Sequence, residues 1–149
     1  MFSVALFGHR RTDDLRALES KLYQTVVSLL EEHELLVFYV GRNGDFDESA
    51  ASIIKGLSKI YGKERILLVL VLPYVVKDIE YYEKYYDEII IPPQAEKAHY
   101  NRAFLVRNRW MADHADLIVA NVEHKSGGAY TALSYAKSKG KPIINFSVK

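Results

Sequence analysis

The chain has 149 residues, of which 49% are hydrophobic and 26% are charged, values typical of one soluble globular domain. Its 20 Lys and Arg residues nearly balance its 19 Asp and Glu residues, and the formal net charge of +1 argues against a broadly basic nucleic-acid binder. Cysteine is absent, which excludes disulfides, thiolate metal sites and cysteine nucleophiles.

Apolar segments of strand length alternate along the chain with segments of helical periodicity, as is typical of α/β proteins with a mostly parallel sheet. Strands are predicted at residues 2–7, 35–40, 66–72, 88–91, 117–121 and 142–146. Several are apolar nearly throughout, as strands covered on both faces are. No linker or repeat interrupts the pattern, so a single domain is expected over residues 1–149.

Four helices are predicted from apolar spacing and from the residues that begin or end helices. The first follows cap candidates at residues 12–14 and ends at Glu32, and the others are predicted at roughly residues 45–62, 99–114 and 128–139. Gly140 suits a left-handed cap after the last helix.

The segment 75–87 does not follow the simple alternation, because tyrosines crowd a short helical stretch between charged residues. These tyrosines are Tyr81, Tyr82, Tyr85 and Tyr86. They can pack on the surface or form a subunit contact, and they can also cover a ligand and stack on a base. The sequence leaves these alternatives open.

Ligands of open parallel α/β sheets bind at the carboxyl ends of the strands. The first predicted strand ends in Gly8, His9 and Arg10, just before a helix. Glycine permits close backbone approach and the two side chains offer donors, so phosphate or carboxylate binding is one interpretation. A solvated basic turn is the other.

The second predicted strand ends in a loop with two glycines and two acids, Gly41-Arg42-Asn43-Gly44-Asp45-Phe46-Asp47. Asp45 or Asp47 can cap the following helix. The other carboxylate would be free to accept from ribose hydroxyls or to act as an acid or base. Acids disfavour a phosphate directly at this helix end, so a sugar or a base fits the loop better.

One face of the third predicted helix carries polar side chains within an apolar stripe. The residues of this face are Phe104, Arg107, Asn108, Met111 and Ala115. Because burying an unpaired charge is expensive, Arg107 should meet either a carboxylate, with Asp45 or Asp47 as candidates, or a ligand anion. Arg102 and Arg109 lie on another face and are expected in solvent.

The fifth predicted strand leads into a loop with consecutive glycines at the start of a helix. The candidate residues there are Ser126, Gly127, Gly128 and Thr131. Exposed amides and hydroxyls at such a junction suit a phosphate, although a plain tight turn has the same pattern. The five histidines show no zinc-ligand spacing and no nucleophile elbow is present, so we expect no metal, no cofactor and no hydrolase triad.

Taken in order, these four segments resemble the SLOG superfamily, a Rossmann-like group that includes DprA, the Lonely-guy enzymes and the small YpsA-type proteins. The resemblance spans essentially the whole chain and looks closest to the YpsA-like branch. It implies a Rossmann-like three-layer domain with a five- to six-stranded sheet, and a nucleotide or nucleotide-derived, ADP-ribose-like ligand whose phosphate lies at the double glycine.

The alternative is an N-glycosidic-bond enzyme of the nucleoside monophosphate phosphoribohydrolase or deoxyribosyltransferase type, because the similar Lonely-guy enzymes cleave the N-glycosidic bond of nucleoside monophosphates. They use a helical arginine, which Arg107 or Arg109 could match, and a glutamate after a PGGxGTxxE motif. Here Ser126 replaces the proline, and the glutamate position falls at Leu133 or Ser134. An enzyme would need a carboxylate from Asp45, Asp47 or Glu48. These departures favour binding or sensing, as in SLOG domains of bacterial and phage conflict systems.

Nucleic acid is not expected as a partner, because the net charge is near zero. No segment reaches the ~20 apolar residues of a transmembrane helix, and a cytoplasmic protein without membrane contact is expected. A homodimer or higher homo-oligomer is compatible with the sequence. The third hypothesis is a regulatory protein-interaction module that uses the Tyr-rich segment.

Overall fold

The computed structural model describes residues 1–147, which form one sheet with helices on both faces. In chain order the elements are β1 (Phe2–Gly8), α1 (Leu15–Glu32), β2 (Leu36–Val40), α2 (Asp45–Tyr61), β3 (Ile66–Val71), α3 (Ile79–Tyr85), β4 (Glu88–Ile90), α4 (Pro93–Lys97), a 3-10 turn (Tyr100–Arg102), α5 (Ala103–His114), β5 (Leu117–Asn121), α6 (Gly128–Ser138) and β6 (Ile143–Asn145). The predicted α/β class is therefore confirmed.

The six strands lie in the order β4-β3-β2-β1-β5-β6, and every neighbouring pair is parallel. The chain leaves β1 toward β2, β3 and β4, and later returns to the other side of β1 to add β5 and β6. The strand order thus reverses beside β1, and such a switch point opens a crevice at the carboxyl ends of the strands.

Two apolar layers cover the two faces of the sheet. Helices α1 and α2 pack on one face, where Leu22, Val26 and Ile54 are fully buried against the strands. Helices α5 and α6 pack on the other face through Met111, Ala112 and Ala136. Burying both faces explains why β2 and β3 are apolar along their length.

The ends of the helices have local causes that were visible in the sequence. Asp14 caps the N-terminus of α1, where its Oδ1 accepts a hydrogen bond from the Ala17 backbone N–H at 3.0 Å. Gly140, with φ +71°, follows α6 in the left-handed conformation that was predicted. Among the described residues, no helix has the length and apolar character needed to cross a membrane.

Candidate functional site

A cavity of about 410 Å³ opens at the carboxyl end of the sheet beside the end of β1. Nine of the residues proposed from the sequence as ligand contacts line it: Gly8, His9, Arg10, Gly41, Asn43, Arg107, Asn108, Gly127 and Gly128. Asp47 lines it as well. Residues from four separate loops and helices thus converge because their strands all end at the same edge.

The other five proposed contacts lie outside the lining of this cavity: Arg42, Gly44, Asp45, Ser126 and Thr131. Arg42 donates from Nη1 to the Tyr82 hydroxyl at 3.2 Å, and Asp45 Oδ2 accepts from the Thr12 backbone N–H at 3.1 Å. The Thr131 hydroxyl donates to the Gly127 carbonyl at 3.0 Å, within the first turn of α6. The contacts of Arg42 and Asp45 connect separate segments around the site, whereas that of Thr131 is local to α6.

Two glycines in the lining make room for neighbouring side chains. A Cβ on Gly8 would overlap the ring of Phe46, which packs at the start of α2. A Cβ on Gly41 would lie 2.8 Å from Arg107 Nη1 and 3.0 Å from Asp47 Oδ2. Gly41 therefore lets Arg107 and Asp47 approach the end of β2 from opposite layers of the fold.

Arg107 brings a buried positive charge to the cavity. Arg107 is only 6% exposed. Its Nη1 donates a hydrogen bond to the Val71 carbonyl at 3.0 Å, and its Nε donates one to Asn108 Oδ1 at 2.9 Å. Burial lowers the pKa of the guanidinium to about 10, and the negative charge of Asp47 opposes that shift only in part. The positive charge of Arg107 is therefore only partly compensated by Asp47, and it can attract an anion in the cavity.

Asp47 brings the opposite charge to the same cavity. The Asn43 backbone N–H donates to its Oδ2 at 2.9 Å. Burial raises the pKa of the carboxyl group, while the hydrogen bond from Asn43 and the charge of Arg107 both act to lower it. Among the described residues, Asp47 and Arg107 form no direct ion pair. Of the two acids that the sequence left open, Asp47 is the one that faces Arg107.

The N-termini of α2 and α6 differ in charge. The first turn of α2 contains Asp45, Asp47 and Glu48, which already satisfy its positive end. The first turn of α6 has no acid, and no side chain caps it. Its free amides therefore remain available to a ligand anion.

Gly127 and Gly128 open the start of α6 toward the cavity. Gly127 has φ +90°, a conformation that favours glycine. Gly128 has no positive φ, and a Cβ on it would meet no atom within 4 Å. The space in front of Gly128 is thus large enough for a ligand atom to approach the backbone.

His9 joins the loops on the two sides of the switch point. Its Nε2 accepts hydrogen bonds from the backbone N–H groups of Glu123 and His124, both at 3.0 Å. Accepting at Nε2 requires a neutral ring that carries its proton on Nδ1. Burial and the neighbouring His124 lower the pKa of His9, while Glu123 acts to raise it. The sequence proposed His9 as a ligand donor and gave no sign of this loop contact.

Part of the lining was not singled out from the sequence. It consists of the apolar side chains of Leu6, Phe7, Phe104, Met111 and Ala129. Phe104 and Met111 were predicted to share a helix face with Arg107, but their pattern alone could not distinguish a cavity wall from a core contact. The Tyr-rich segment lies outside this lining. Within residues 1–147, no group of three or more His, Asp or Glu side chains could hold a metal ion.

No family model matches the sequence, and no curated protein matches it. Among solved structures, the chain is similar to DNA processing protein A (DprA) from Streptococcus pneumoniae, with 19% identity and a TM-score of 0.64 over 95% of this chain. It is also similar to DprA from Helicobacter pylori, whose structure is described for its single-stranded DNA binding mode, with 17% identity and a TM-score of 0.63 over 95% of this chain.

The chain spans 49% of the Streptococcus pneumoniae protein and 63% of the Helicobacter pylori protein. At this level of identity the likeness shows a shared Rossmann-like fold. DprA is one of the proteins named in the resemblance above, and the likeness provides no test of the YpsA-like branch.

The expectation that nucleic acid is not a partner is wrong as it was argued. It rested on the net charge of the whole chain, whereas the Helicobacter pylori protein with this fold binds single-stranded DNA. A net charge near zero for the whole chain does not exclude a local cluster of positive charge. Here Arg10 and Arg107 both line one cavity although the chain carries a net charge of only +1.

Proposed function

We propose that the cavity beside β1 binds the phosphate of a nucleotide, either as a free phosphorylated nucleoside or within single-stranded DNA. The observation that carries this proposal is the convergence on one cavity of the buried Arg107 guanidinium and the acid-free N-terminus of α6. Each feature alone has an ordinary structural explanation. Together they offer an anion both a charge and free amide donors.

The dimensions of the cavity suit a ligand of nucleotide size. Its volume of about 410 Å³ falls within the range of small-molecule sites, which is ~300–1,000 Å³. Its lining combines polar groups with the rings of Phe7 and Phe104. A phosphorylated nucleoside likewise combines polar groups with the flat face of a base.

Two sources of the nucleotide are supported by different observations. The likeness to the DprA proteins favours single-stranded DNA, which the Helicobacter pylori protein binds. The size of the cavity favours a free nucleotide, of which an ADP-ribose-like molecule is one form. Membership of the YpsA-like branch remains a hypothesis.

Replacing Gly128 by Asp tests the phosphate site with little disturbance of the fold, because Gly128 is exposed and a Cβ added there faces open space. An acid at a helix start also stabilises the helix. We expect the Gly128→Asp variant to fold normally and to lose phosphate binding, since two like charges about 4 Å apart repel by about 1–4 kcal/mol. Gly128→Asn is the matched neutral control.

Binding is measured by thermal shift and calorimetry with AMP, ADP-ribose and a ten-nucleotide oligothymidylate. At ~100 times the dissociation constant a ligand stabilises the fold by about 2.7 kcal/mol, which such assays detect. Gly128→Asn should bind like the wild type and Gly128→Asp should not. The proposal fails if the wild type binds none of the three at millimolar concentration, or if the Asp variant binds as well as the Asn variant.

The second candidate function is cleavage of an N-glycosidic bond, and Asp47 is the observation that favours it. Among the described residues, it is the one carboxylate in the lining of the cavity, and its raised pKa suits a general acid. Asp45 instead accepts a hydrogen bond from the Thr12 backbone N–H and lies outside the lining. The position of the Lonely-guy glutamate falls at Leu133, which is buried in the core, or at Ser134, which is exposed, and neither residue has a carboxylate.

Chromatography of nucleoside monophosphates after incubation tests this candidate by detecting free base. We expect Asp47→Asn to abolish base release, and Asp45→Asn to retain it because that carboxylate lies outside the lining. Base release that survives in Asp47→Asn would remove Asp47 from the chemistry. If the wild type releases no base, binding alone remains as the proposed function.

A further inference from the structure

Three aromatic side chains form a cluster that adjoins the cavity through Phe104, the one member of the three in the cavity lining. Tyr74 follows β3, Tyr100 lies in the 3-10 turn, and Phe104 is in the first turn of α5. The ring of Tyr74 stacks on Tyr100 with 6.2 Å between centroids, and it meets the edge of Phe104 at 5.9 Å. We call these three residues the aromatic rim.

Two of the three side chains of the aromatic rim are exposed to solvent although their rings are large, and Tyr74 is half-buried. Tyr100 is 75% exposed and Phe104 is 37% exposed. Core packing does not require side chains in these positions, and contiguous exposed aromatic surface beside a cavity is typical of binding sites. Tyr74 contacts both other rings, so the three side chains form one continuous aromatic surface in the structure.

The aromatic rim is continuous with the charged part of the cavity through Phe104. This side chain lines the cavity, and the Arg107 guanidinium carbon lies 5.2 Å from the centroid of its ring. A molecule with its phosphate near Arg107 and Gly128 can therefore reach toward the rim with the rest of its structure. The part of a nucleotide that matches an aromatic surface is the base.

We propose that the aromatic rim is a base-stacking surface, and that the ligand is recognised by its base as well as by its phosphate. This inference rests on the proposed phosphate site and narrows its ligand class. Stacking uses the face that every base has, so it tolerates different bases. Sugar phosphates and inorganic phosphate lack that face and would engage only the charged part of the cavity.

Tyr100 is the residue to change, because its exposure means that its loss should leave the fold intact. The variant is Tyr100→Ala, with Tyr100→Phe to restore the ring and Tyr23→Ala as a control at an exposed tyrosine on α1. The probes are AMP, a ten-nucleotide oligothymidylate and ribose 5-phosphate. Dissociation constants come from calorimetry, and thermal midpoints check folding.

We expect Tyr100→Ala to bind AMP and the oligonucleotide about 5- to 150-fold more weakly, which is the range for losing one stacked base. Its affinity for ribose 5-phosphate should not change, and Tyr100→Phe and Tyr23→Ala should bind like the wild type. If the loss is confined to the oligonucleotide, the stacked base belongs to single-stranded DNA. If AMP is also affected, a free nucleotide suffices.

The inference is overturned, with the phosphate site intact, if the wild type binds nucleotides and Tyr100→Ala binds them equally well. It is also overturned if Tyr100→Ala weakens ribose 5-phosphate to the same degree, because the ring would then act through the fold. Reduced self-association with unchanged nucleotide affinity would assign the rim to a subunit contact instead. A wild type that binds none of the three probes overturns both proposals.

Discussion

Asp47 and Arg107 carry opposite charges at the same end of the sheet, yet the pKa of each is shifted toward its neutral form. Burial raises the pKa of Asp47 and lowers that of Arg107 to about 10, and their mutual attraction does not reverse either shift. At pH 7, where both groups are charged in the unfolded chain, burial of each group therefore costs the folded state stability. Residues kept at such a cost are typical of binding and catalytic sites.

The first prediction at this scale is that Asp47→Asn stabilises the protein at pH 7. A raised folded pKa contributes stability that is present below the unfolded pKa of 3.8 and is lost as pH rises through the folded pKa. Asn mimics the neutral acid at every pH, so its advantage should appear at pH 7 and vanish near pH 3. Thermal midpoints across this range measure it.

The control for Asp47→Asn is Asp13→Asn, which removes the same charge from an exposed position. Its effect on the free energy of unfolding should stay within about 0.5 kcal/mol at both pH values. If the two substitutions change the free energy of unfolding equally at pH 7, burial of the Asp47 carboxylate does not destabilise the protein.

The pH dependence of stability that we predict for His9 has the opposite sign to that for Asp47. Because its folded pKa lies below the unfolded value of 6.5, the stability that it contributes is present above pH 6.5 and is lost as pH falls through the folded pKa. Protonation of Nε2 would break the two hydrogen bonds from Glu123 and His124. The loop before α6 should therefore loosen in mild acid.

His9→Gln retains an acceptor at this position but does not titrate. We expect the thermal midpoint of the wild type to fall further than that of His9→Gln between pH 7.5 and pH 5. Parallel pH profiles for the two proteins would rule out His9 as the source of the acid sensitivity.

At the scale of elements, the bounds of helices and strands could be predicted wherever a boundary has a local cause. The predicted strand at residues 117–121 agrees with β5, and the helix predicted at 128–139 agrees with α6 to one residue. Helix α4 was missed because five residues are too few for a periodic pattern. The helix predicted at 99–114 begins with a 3-10 turn, since its first residues lie outside the apolar stripe.

The choice between Asp45 and Asp47 could not be made from the sequence, because both lie in the first turn of one helix. The direction of each side chain decides it, and that depends on how α2 packs against the loop after β1. Asp45 faces Thr12 in this loop, whereas Asp47 faces Asn43 and the cavity. Two residues of separation on a helix place their side chains on different sides.

Two glycines at helix starts should respond oppositely to alanine. Gly44 has φ +152°, and a Cβ there would overlap the backbone of Arg10, so Gly44→Ala should destabilise the protein by about 1–3 kcal/mol. Gly128 has neither restriction, so Gly128→Ala should stabilise the protein by about 0.4–1 kcal/mol. Urea unfolding of both variants measures the difference. A destabilising Gly128→Ala would mean that the fold itself requires this glycine.

At the scale of the whole molecule, the order of the strands brings the site together, and no local pattern encodes that order. The segments after residues 8, 41 and 126 are far apart in the sequence and converge because β1 lies between β2 and β5. The rule that ligands bind at strand ends identified the segments, although it could not say which of them meet. Only the pairing of β1 with β5 places His9 beside His124.

The net charge of +1 leads to a prediction about salt that distinguishes a compact phosphate site from an extended DNA track. Arg10 and Arg107 are the two Arg or Lys side chains among the described lining residues. For single strands the slope of log binding constant against log salt is about −0.7 for each neutralised phosphate, which gives about −1.4 for two contacts. We expect this shallow slope for oligothymidylate binding measured between 50 mM and 300 mM salt. A slope of about −4 or steeper would require basic contacts far beyond the cavity and would contradict a site confined to this edge of the sheet.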